Sequence, residues 1–221
     1  MREKQGFLFF LNCKINISKK VFKPRIETEF WVKKALQDLK LEIENCKLKR
    51  IEILDIFAGT GCIGITALKN LKNSFVDFVD IDRNAILQIR INLEQNKIPR
   101  RNCRVYNSAF FETPKIYRRK YDVIFANPPY IAKDRILEVQ KEALETEPKR
   151  ALFSGKDGTN HIKRFLKEVK NHLKPNGVFF LEFDPLQKEK IEKVLQKEGL
   201  ESKFYKDQFK KYRWLRGKIK N

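Results

Sequence analysis

Strand and helix segments alternate along most of this chain, which predicts an α/β fold: a largely parallel sheet with helices on both faces. Three observations carry that prediction. Short runs rich in β-branched and aromatic residues, such as Ile51–Ile56 and Tyr121–Ala126, read as buried strands. Segments with apolar residues at helical spacing separate them. A glycine-rich turn, Gly59-Thr60-Gly61-Cys62-Ile63-Gly64, joins the first of these strands to the helix after it.

The elements follow in order. Residues 7–22 read as two short strands with a turn near Asn12-Cys13-Lys14, a hairpin extension covering 1–23. Residues 24–221 form the main domain. Val32, Ala35, Leu36 and Leu39 mark a helix, and the polar stretch Lys40 to Lys49 reads as a surface connection. Strands follow at Ile51–Ile56, Phe75–Val79, Cys103–Tyr106 and Tyr121–Ala126, with a helix through Leu71 and another through Ile86, Ile89 and Leu93. After a long segment, 131–156, the run Ile162, Phe165, Leu166, Val169 and Leu173 marks an amphipathic helix. Pro175-Asn176-Gly177 turns into a strand at Val178–Phe183. A helix near 186–197 and two late strands close the chain.

Bulk properties limit the function classes. The 221 residues suffice for one well-cored α/β domain. No apolar stretch approaches the roughly 20 residues that span a bilayer. Phe7 to Leu11 is too short for a signal-peptide core, so the expected location is cytoplasmic, with no membrane partner. Cys13, Cys46, Cys62 and Cys103 show no C-x-x-C spacing, so no metal site is expected. Forty-eight basic and 28 acidic side chains give a net charge of +20, which favours contact with RNA or a ribosome-bound partner. A basic composition of this kind also suits a plain solvated surface. The stretch from Lys203 to Lys220 mixes basic residues with Tyr205, Phe209, Tyr212 and Trp214, yet reads equally as late strands.

Two turns carry chemistry. Gly59 and Gly61 permit a tight bend and close approach of a ligand, while Gly64 permits close helix packing. Asp80 ends the second of the sheet strands, where an acid reaches ribose hydroxyls. The pattern suits a nucleoside-containing ligand, either a nicotinamide dinucleotide or S-adenosylmethionine. Asp55, just before the glycines, would repel a pyrophosphate but suit an ammonium group, which favours S-adenosylmethionine. The second turn, Asn127-Pro128-Pro129-Tyr130, sits at a strand's C-terminal end, where open α/β sheets bind ligands. Its prolines fix φ and remove two donors. An Asn oxygen and a rigid carbonyl then make a pair of acceptors for a planar NH2 group, with the Tyr130 ring over its face. His161 and His172 lie away from both turns and read as packing or surface residues.

Asp55 to Gly61, Asp80 and Asn127 to Tyr130 together resemble a class I methyltransferase acting on planar amino groups. Pro24 to Glu29, Glu147 to Leu152, Gly155 to Gly158 and Glu182 narrow the resemblance to the release-factor glutamine methyltransferases of the HemK/PrmC type, over roughly residues 20–215. The resemblance implies a Rossmann-like sheet of seven strands. It implies methylation, with S-adenosylmethionine, of the side-chain amide nitrogen of the glutamine in the Gly-Gly-Gln loop of class I peptide release factors. By position, Asp55, Phe57, Ala58, Gly59, Thr60, Gly61, Asp80, Ile81, Ser108, Ala109 and Asn127 would line the cofactor site. Asn127, Pro128, Pro129 and Tyr130 would be the catalytic turn, with Arg25, Glu29 and Glu147 near the substrate. The family usually carries an acid where Ala109 stands and a helical N-terminal domain before Pro24.

Two other readings stay open. Asp55 to Gly61 also resembles the first motif of ribosomal-RNA guanine methyltransferases, although those usually carry Asp where Asn127 stands. The chain would then methylate an exocyclic amine of an RNA base. A non-catalytic basic binding module is the third reading.

Overall fold

The computed structural model describes residues 3–4, 6–46, 50–138 and 141–220. Seven strands form one sheet: β4 (Ile51–Ile56), β5 (Ser74–Asp80), β6 (Cys103–Asn107), β7 (Tyr121–Ala126), β8 (Leu173–Glu182), β9 (Leu200–Lys206) and β10 (Tyr212–Ile219). Their order is β6-β5-β4-β7-β8-β10-β9. The first five run parallel, and β10 is antiparallel to both of its neighbours. The order reverses between β4 and β7, so the carboxyl ends of those two strands flank the crevice where such sheets take ligands.

Three short strands precede the sheet: β1 (Glu3–Lys4), β2 (Phe7–Phe10) and β3 (Cys13–Asn16). The hairpin turn sits at Leu11–Asn12, one residue earlier than the sequence suggests, with Leu11 at φ 50°. Asn92 and Gln88, buried on helix α3 (Arg83–Gln95), accept hydrogen bonds from the backbone N–H groups of Asn16 and Lys19. These bonds satisfy an edge that would otherwise lie open.

Each sheet face has its own core, as the period-2 alternation of buried strands requires. Ile53, Val76, Phe78, Val123, Phe125 and Phe180 point to the face covered by α1 (Ile26–Cys46), α2 (Cys62–Asn70), α3 and the hairpin. Leu54, Val79, Ile124, Phe179 and Leu181 point to the other, covered by α6 (Asn160–Glu168) and α7 (Lys188–Lys197). Two further short helices, α4 (Pro114–Tyr117) and α5 (Lys141–Thr146), belong to connections.

Two boundaries differ from the sequence expectation. Lys40 to Cys46 continues helix α1 instead of forming a connection; Leu39 and Ile43, four apart, keep an apolar stripe on the core while Lys40 and Glu42 face water. Lys47, Leu48 and Lys49 lie outside the described residues. Strand β8 begins at Leu173, earlier than Val178, and runs through Pro175-Asn176-Gly177 with an irregular register against β7 and Asn176 at φ 64°.

Candidate active site

A cleft of about 730 Å³ opens at the carboxyl ends of β4, β5, β7 and β8, and it contains both turns. The glycine turn forms one wall. Gly59 stands at φ +54°, and a Cβ there would meet nothing within 4 Å, so its backbone faces open space. Gly64 is held for the opposite reason: a Cβ would lie 2.4 Å from the Phe78 ring, so α2 packs on the sheet only with glycine here. Phe57, with φ 62°, is a bulky residue in the left-handed region, a conformation that costs on the order of 1–3 kcal/mol. The Phe110 ring meets it edge-on at 5.0 Å, and Ala58 N–H donates to the Val79 carbonyl at 3.1 Å, which together hold the bend.

Asp80 anchors this wall. Gly59 N–H donates to its Oδ2 and Asp82 N–H to its Oδ1, both at 2.8 Å. The carboxylate is fixed in direction and lines the cleft. Burial raises its pKa, and the two N–H groups oppose that shift. Ile81, Ser108, Ala109 and Phe110 continue the wall. Asn107 does not line the cleft; its Nδ2 donates to the carbonyls of Asp80 and Ile81 and ties the end of β6 to that of β5.

Asp55 and Gly61 lie outside the cleft lining. The Asp55 side chain is buried behind the turn, where its Oδ2 accepts from Gly64 N–H at 2.9 Å and its Oδ1 has no partner among the described residues. Burial pushes its pKa up to about 8; the Gly64 N–H opposes this, and the charge of Asp80 adds to it.

The Asn127-to-Tyr130 turn forms the facing wall. Ala126 pairs with Leu181 between β7 and β8, and one residue further on stand Asn127 and Glu182. Glu182 shares the parity of Phe180, so it points at α1. It is fully buried and accepts three hydrogen bonds: from Thr28 Oγ1 at 2.8 Å, Trp31 Nε1 at 2.6 Å and Tyr130 Oη at 3.0 Å. Burial raises its pKa, and Trp31, Thr28 and Tyr130 each pull it back. Asn127 Nδ2 donates to Thr28 Oγ1 at 3.4 Å.

Segments 131–138 and 141–156 close the outer side. Ile131 and Leu152–Ser154 pair through backbone hydrogen bonds. Ion pairs latch the segments to their surroundings: Arg25–Glu147 at 2.5 Å, Lys23–Glu142 at 3.2 Å, Arg150–Asp82 at 2.9 Å and Arg135–Asp184 at 3.0 Å. Arg25 and Glu147 both line the cleft. Glu147 is buried, its Oε2 has no side-chain partner among the described residues, and burial raises its pKa against the pull of Arg25 and Lys23. Glu29 does not line the cleft; its Oε1 accepts from Leu11 N–H at 2.6 Å, tying the hairpin turn to α1.

Thr28, Trp31, Arg213 and His161, at or behind the cleft, are among the residues that escaped sequence reading as site residues. Thr28 and Trp31 lie three apart on one helix face, a spacing that only the partner Glu182 makes meaningful. His161 lines the cleft rather than standing apart from both turns: it stacks on Phe110 at 5.7 Å, and its Nδ1 lies 2.5 Å from Ser154 Oγ. His172 is a buried packing residue, stacked on Phe111 at 4.0 Å. In the late strands, Trp214 is buried and stacks on Tyr205 at 4.1 Å, so those two rings serve the core. Among the described residues no helix is long and apolar enough to cross a membrane, and no cluster of His, Cys, Asp or Glu could hold a metal ion.

Comparison with known proteins gives this geometry its setting. Residues 38–156 match the family described as Methyltransferase small domain. A release factor glutamine methyltransferase of Thermodesulfovibrio yellowstonii is 30% identical over 194 residues, covering 88% of this chain and 67% of that protein. Another, of Clostridium acetobutylicum, is 30% identical over 193 residues, covering 87% and 65%. A bifunctional methyltransferase of Rickettsia typhi is 32% identical over 198 residues, covering 84% of this chain, which spans only 38% of that longer relative. Two solved structures share the fold at low identity. A ribosomal protein L11 methylase from Lactobacillus delbrueckii gives a TM-score of 0.61 at 18% identity, covering 91% of this chain and 82% of that one. The hMettl16 catalytic domain, solved with a 3′UTR hairpin, gives 0.67 at 14%, covering 94% and 75%. The chain therefore belongs to the methyltransferase small domain family, with the class I methyltransferase fold and a likeness to release factor glutamine methyltransferases along most of its length.

Proposed function

We propose that this protein transfers a methyl group from S-adenosylmethionine to the side-chain amide nitrogen of the Gly-Gly-Gln glutamine in a peptide release factor. One observation carries the reading: the Asn127 turn and the glycine turn line the same cleft, one presenting acceptors and the other an open backbone. The residues present fit the cofactor. Gly59 leaves room in front of its backbone, Asp80 offers a fixed acidic group for a ribose diol, and Phe57, Ala58, Thr60, Ile81, Ser108 and Ala109 lie along the same side. Asp55 would brace the turn from behind through Gly64. When bound, S-adenosylmethionine supplies an electrophilic methyl carbon.

The chain's own residues do the rest. A carboxamide nitrogen is a poor nucleophile because its lone pair is delocalised. Asn127 Oδ1 and the Pro128 carbonyl would accept the two NH2 hydrogens and fix the plane of the target amide, with Pro129 stiffening the turn. Tyr130, clamped through its hydroxyl to Glu182, would cover the amide face. Arg25 and Glu147, which line the cleft, would lie near the loop that carries the glutamine. Orientation of this kind supplies up to about 7–11 kcal/mol of barrier lowering. Acceptors that bind more tightly as positive charge grows on nitrogen add to it.

Labelled S-adenosylmethionine tests the proposal, with purified release factor, its loop Gln→Ala variant and ribosomal RNA run in parallel. Label on the release factor that disappears in the Gln→Ala variant is the expected result. Label on RNA alone would overturn the protein substrate in favour of a nucleobase amine, the reading that the net charge of +20 favours.

A further inference from the structure

We propose that Thr28 and Glu182 are positioning residues that set which way the Asn127 amide faces, and so make the turn select NH2 acceptors over oxygen acceptors. The inference rests on the reading that Asn127 receives the methyl acceptor's NH2 group. Its own foundation is a chain of hydrogen bonds with one consistent direction.

The Trp31 indole N–H can only donate, so Glu182 Oε2 is an acceptor there. Thr28 has one hydroxyl hydrogen, and the carboxylate Oε2 lies 2.8 Å away. That oxygen is much the nearer acceptor, since the Asn127 amide lies 3.4 Å from the hydroxyl, so the hydrogen goes to Glu182. The Thr28 oxygen is then left with lone pairs only toward Asn127, at 3.4 Å. The Asn127 NH2 must face Thr28, because a flipped amide would set two oxygens against each other with no hydrogen between them. Its Oδ1 is thereby left for the cleft, ready to accept.

The second oxygen of Glu182 holds the other half of the turn. Oε1 accepts from Tyr130 Oη at 3.0 Å, which fixes the ring two prolines further along. One buried carboxylate thus sets the direction of Asn127 through Thr28 and the position of Tyr130 directly. Helix α1 joins this control because Thr28 and Trp31 lie in its first two turns. An Asn127 whose NH2 faced the cleft would suit a carbonyl or carboxylate instead of an amine.

The test uses Thr28→Val, which keeps the side-chain shape and removes the hydroxyl, Thr28→Ser, which restores the hydroxyl, and Glu182→Gln. Single-turnover methyl transfer to purified release factor is measured beside cofactor affinity by calorimetry and thermal stability. Thr28→Val is expected to slow transfer roughly 10- to 100-fold while cofactor affinity stays within about twofold, and Thr28→Ser to recover to within about threefold of wild type. Glu182→Gln is expected to slow transfer at least as much. Should Glu182→Gln fail to fold, the Thr28 pair carries the test. A Thr28→Val rate within about twofold of wild type, or an equal loss in Thr28→Ser, would overturn the relay. If wild type leaves the release factor unlabelled, the proposed substrate fails on its own, and the relay is read from the Asn127 side-chain NH2 signals by NMR in cofactor-bound protein. Thr28→Val should then move one of the two signals and Thr28→Ser should leave both in place; no movement in Thr28→Val overturns the relay.

Discussion

The two walls of the cleft are built by different means. The glycine wall is backbone held by side chains from the same turn and the neighbouring strands: Asp80 takes the N–H groups of Gly59 and Asp82, and Asn107 ties two strand ends together. The Asn127 wall is held by side chains from distant parts of the chain: Thr28 and Trp31 on α1, Glu182 on β8, and Arg25 against Glu147. A wall held by near neighbours tolerates change around it, because each bond spans a turn or a neighbouring strand. A wall of long-range side-chain bonds couples its members, so single changes there spread.

That difference predicts a hierarchy of losses. The largest follows Asn127→Ala, which removes an acceptor from the reacting nitrogen while leaving the glycine wall intact. Turnover should fall at least about 100-fold, with cofactor affinity nearly unchanged. Single-turnover rates and calorimetric titration separate the two, and equal losses in both would place Asn127 on the cofactor side. Asp80→Ala is the mirror experiment. Cofactor affinity should weaken roughly 10- to 100-fold, with a smaller change in the rate at saturation, since a good charge-assisted hydrogen bond contributes about 1.5–3 kcal/mol.

An intermediate effect belongs to the Arg25–Glu147 pair. Removing Arg25 takes the ion pair from a buried carboxylate, and folding stability should fall by about 1–3 kcal/mol. Glu147→Gln removes the charge together with the need for a partner and should cost less. Denaturant melts of the two variants rank them. Arg25→Ala being the milder would mean that the pair is a surface contact and not a built part of the wall.

The same contrast explains what was legible in the sequence. The glycine turn and Asp80 could be read because strand ends, glycine spacing and the acid that follows are local signals. Asn127 to Tyr130 could be read for its own chemistry, since two prolines after an Asn leave few alternatives. What holds Asn127 could not be read: Thr28 and Glu182 stand 154 positions apart, and only the sheet order places β8 beside β7. Glu29 misled for a related reason. It lies one residue from Thr28 on α1, where that step turns a side chain through about 100°, so it meets the hairpin instead of the cleft. His161 joins the site only because Phe110 offers a stacking face, which no spacing announces.

The smallest effect sharpens the comparison from behind the glycine wall. Asp55 has a folded-state pKa of about 8 because it is buried, against about 3.9 for an exposed aspartate. Between those values the folded protein holds a proton that the unfolded chain has lost. Stability from this group is therefore fully present below about pH 4 and declines as pH rises through about 8. Asp55→Asn removes the titration and can keep the bond from Gly64 N–H with its carbonyl oxygen. The variant's melting temperature should fall less steeply than wild type's between pH 5 and 8.5, with the gain largest, a few degrees, at the alkaline end. The slope difference, read from melts across that range without cofactor, isolates Asp55 from the surface charges, which are common to both proteins. Parallel slopes would mean that Asp55 is ionised throughout and that its unpaired oxygen is satisfied in solution. The glycine wall would then rest on a buried charge behind the turn.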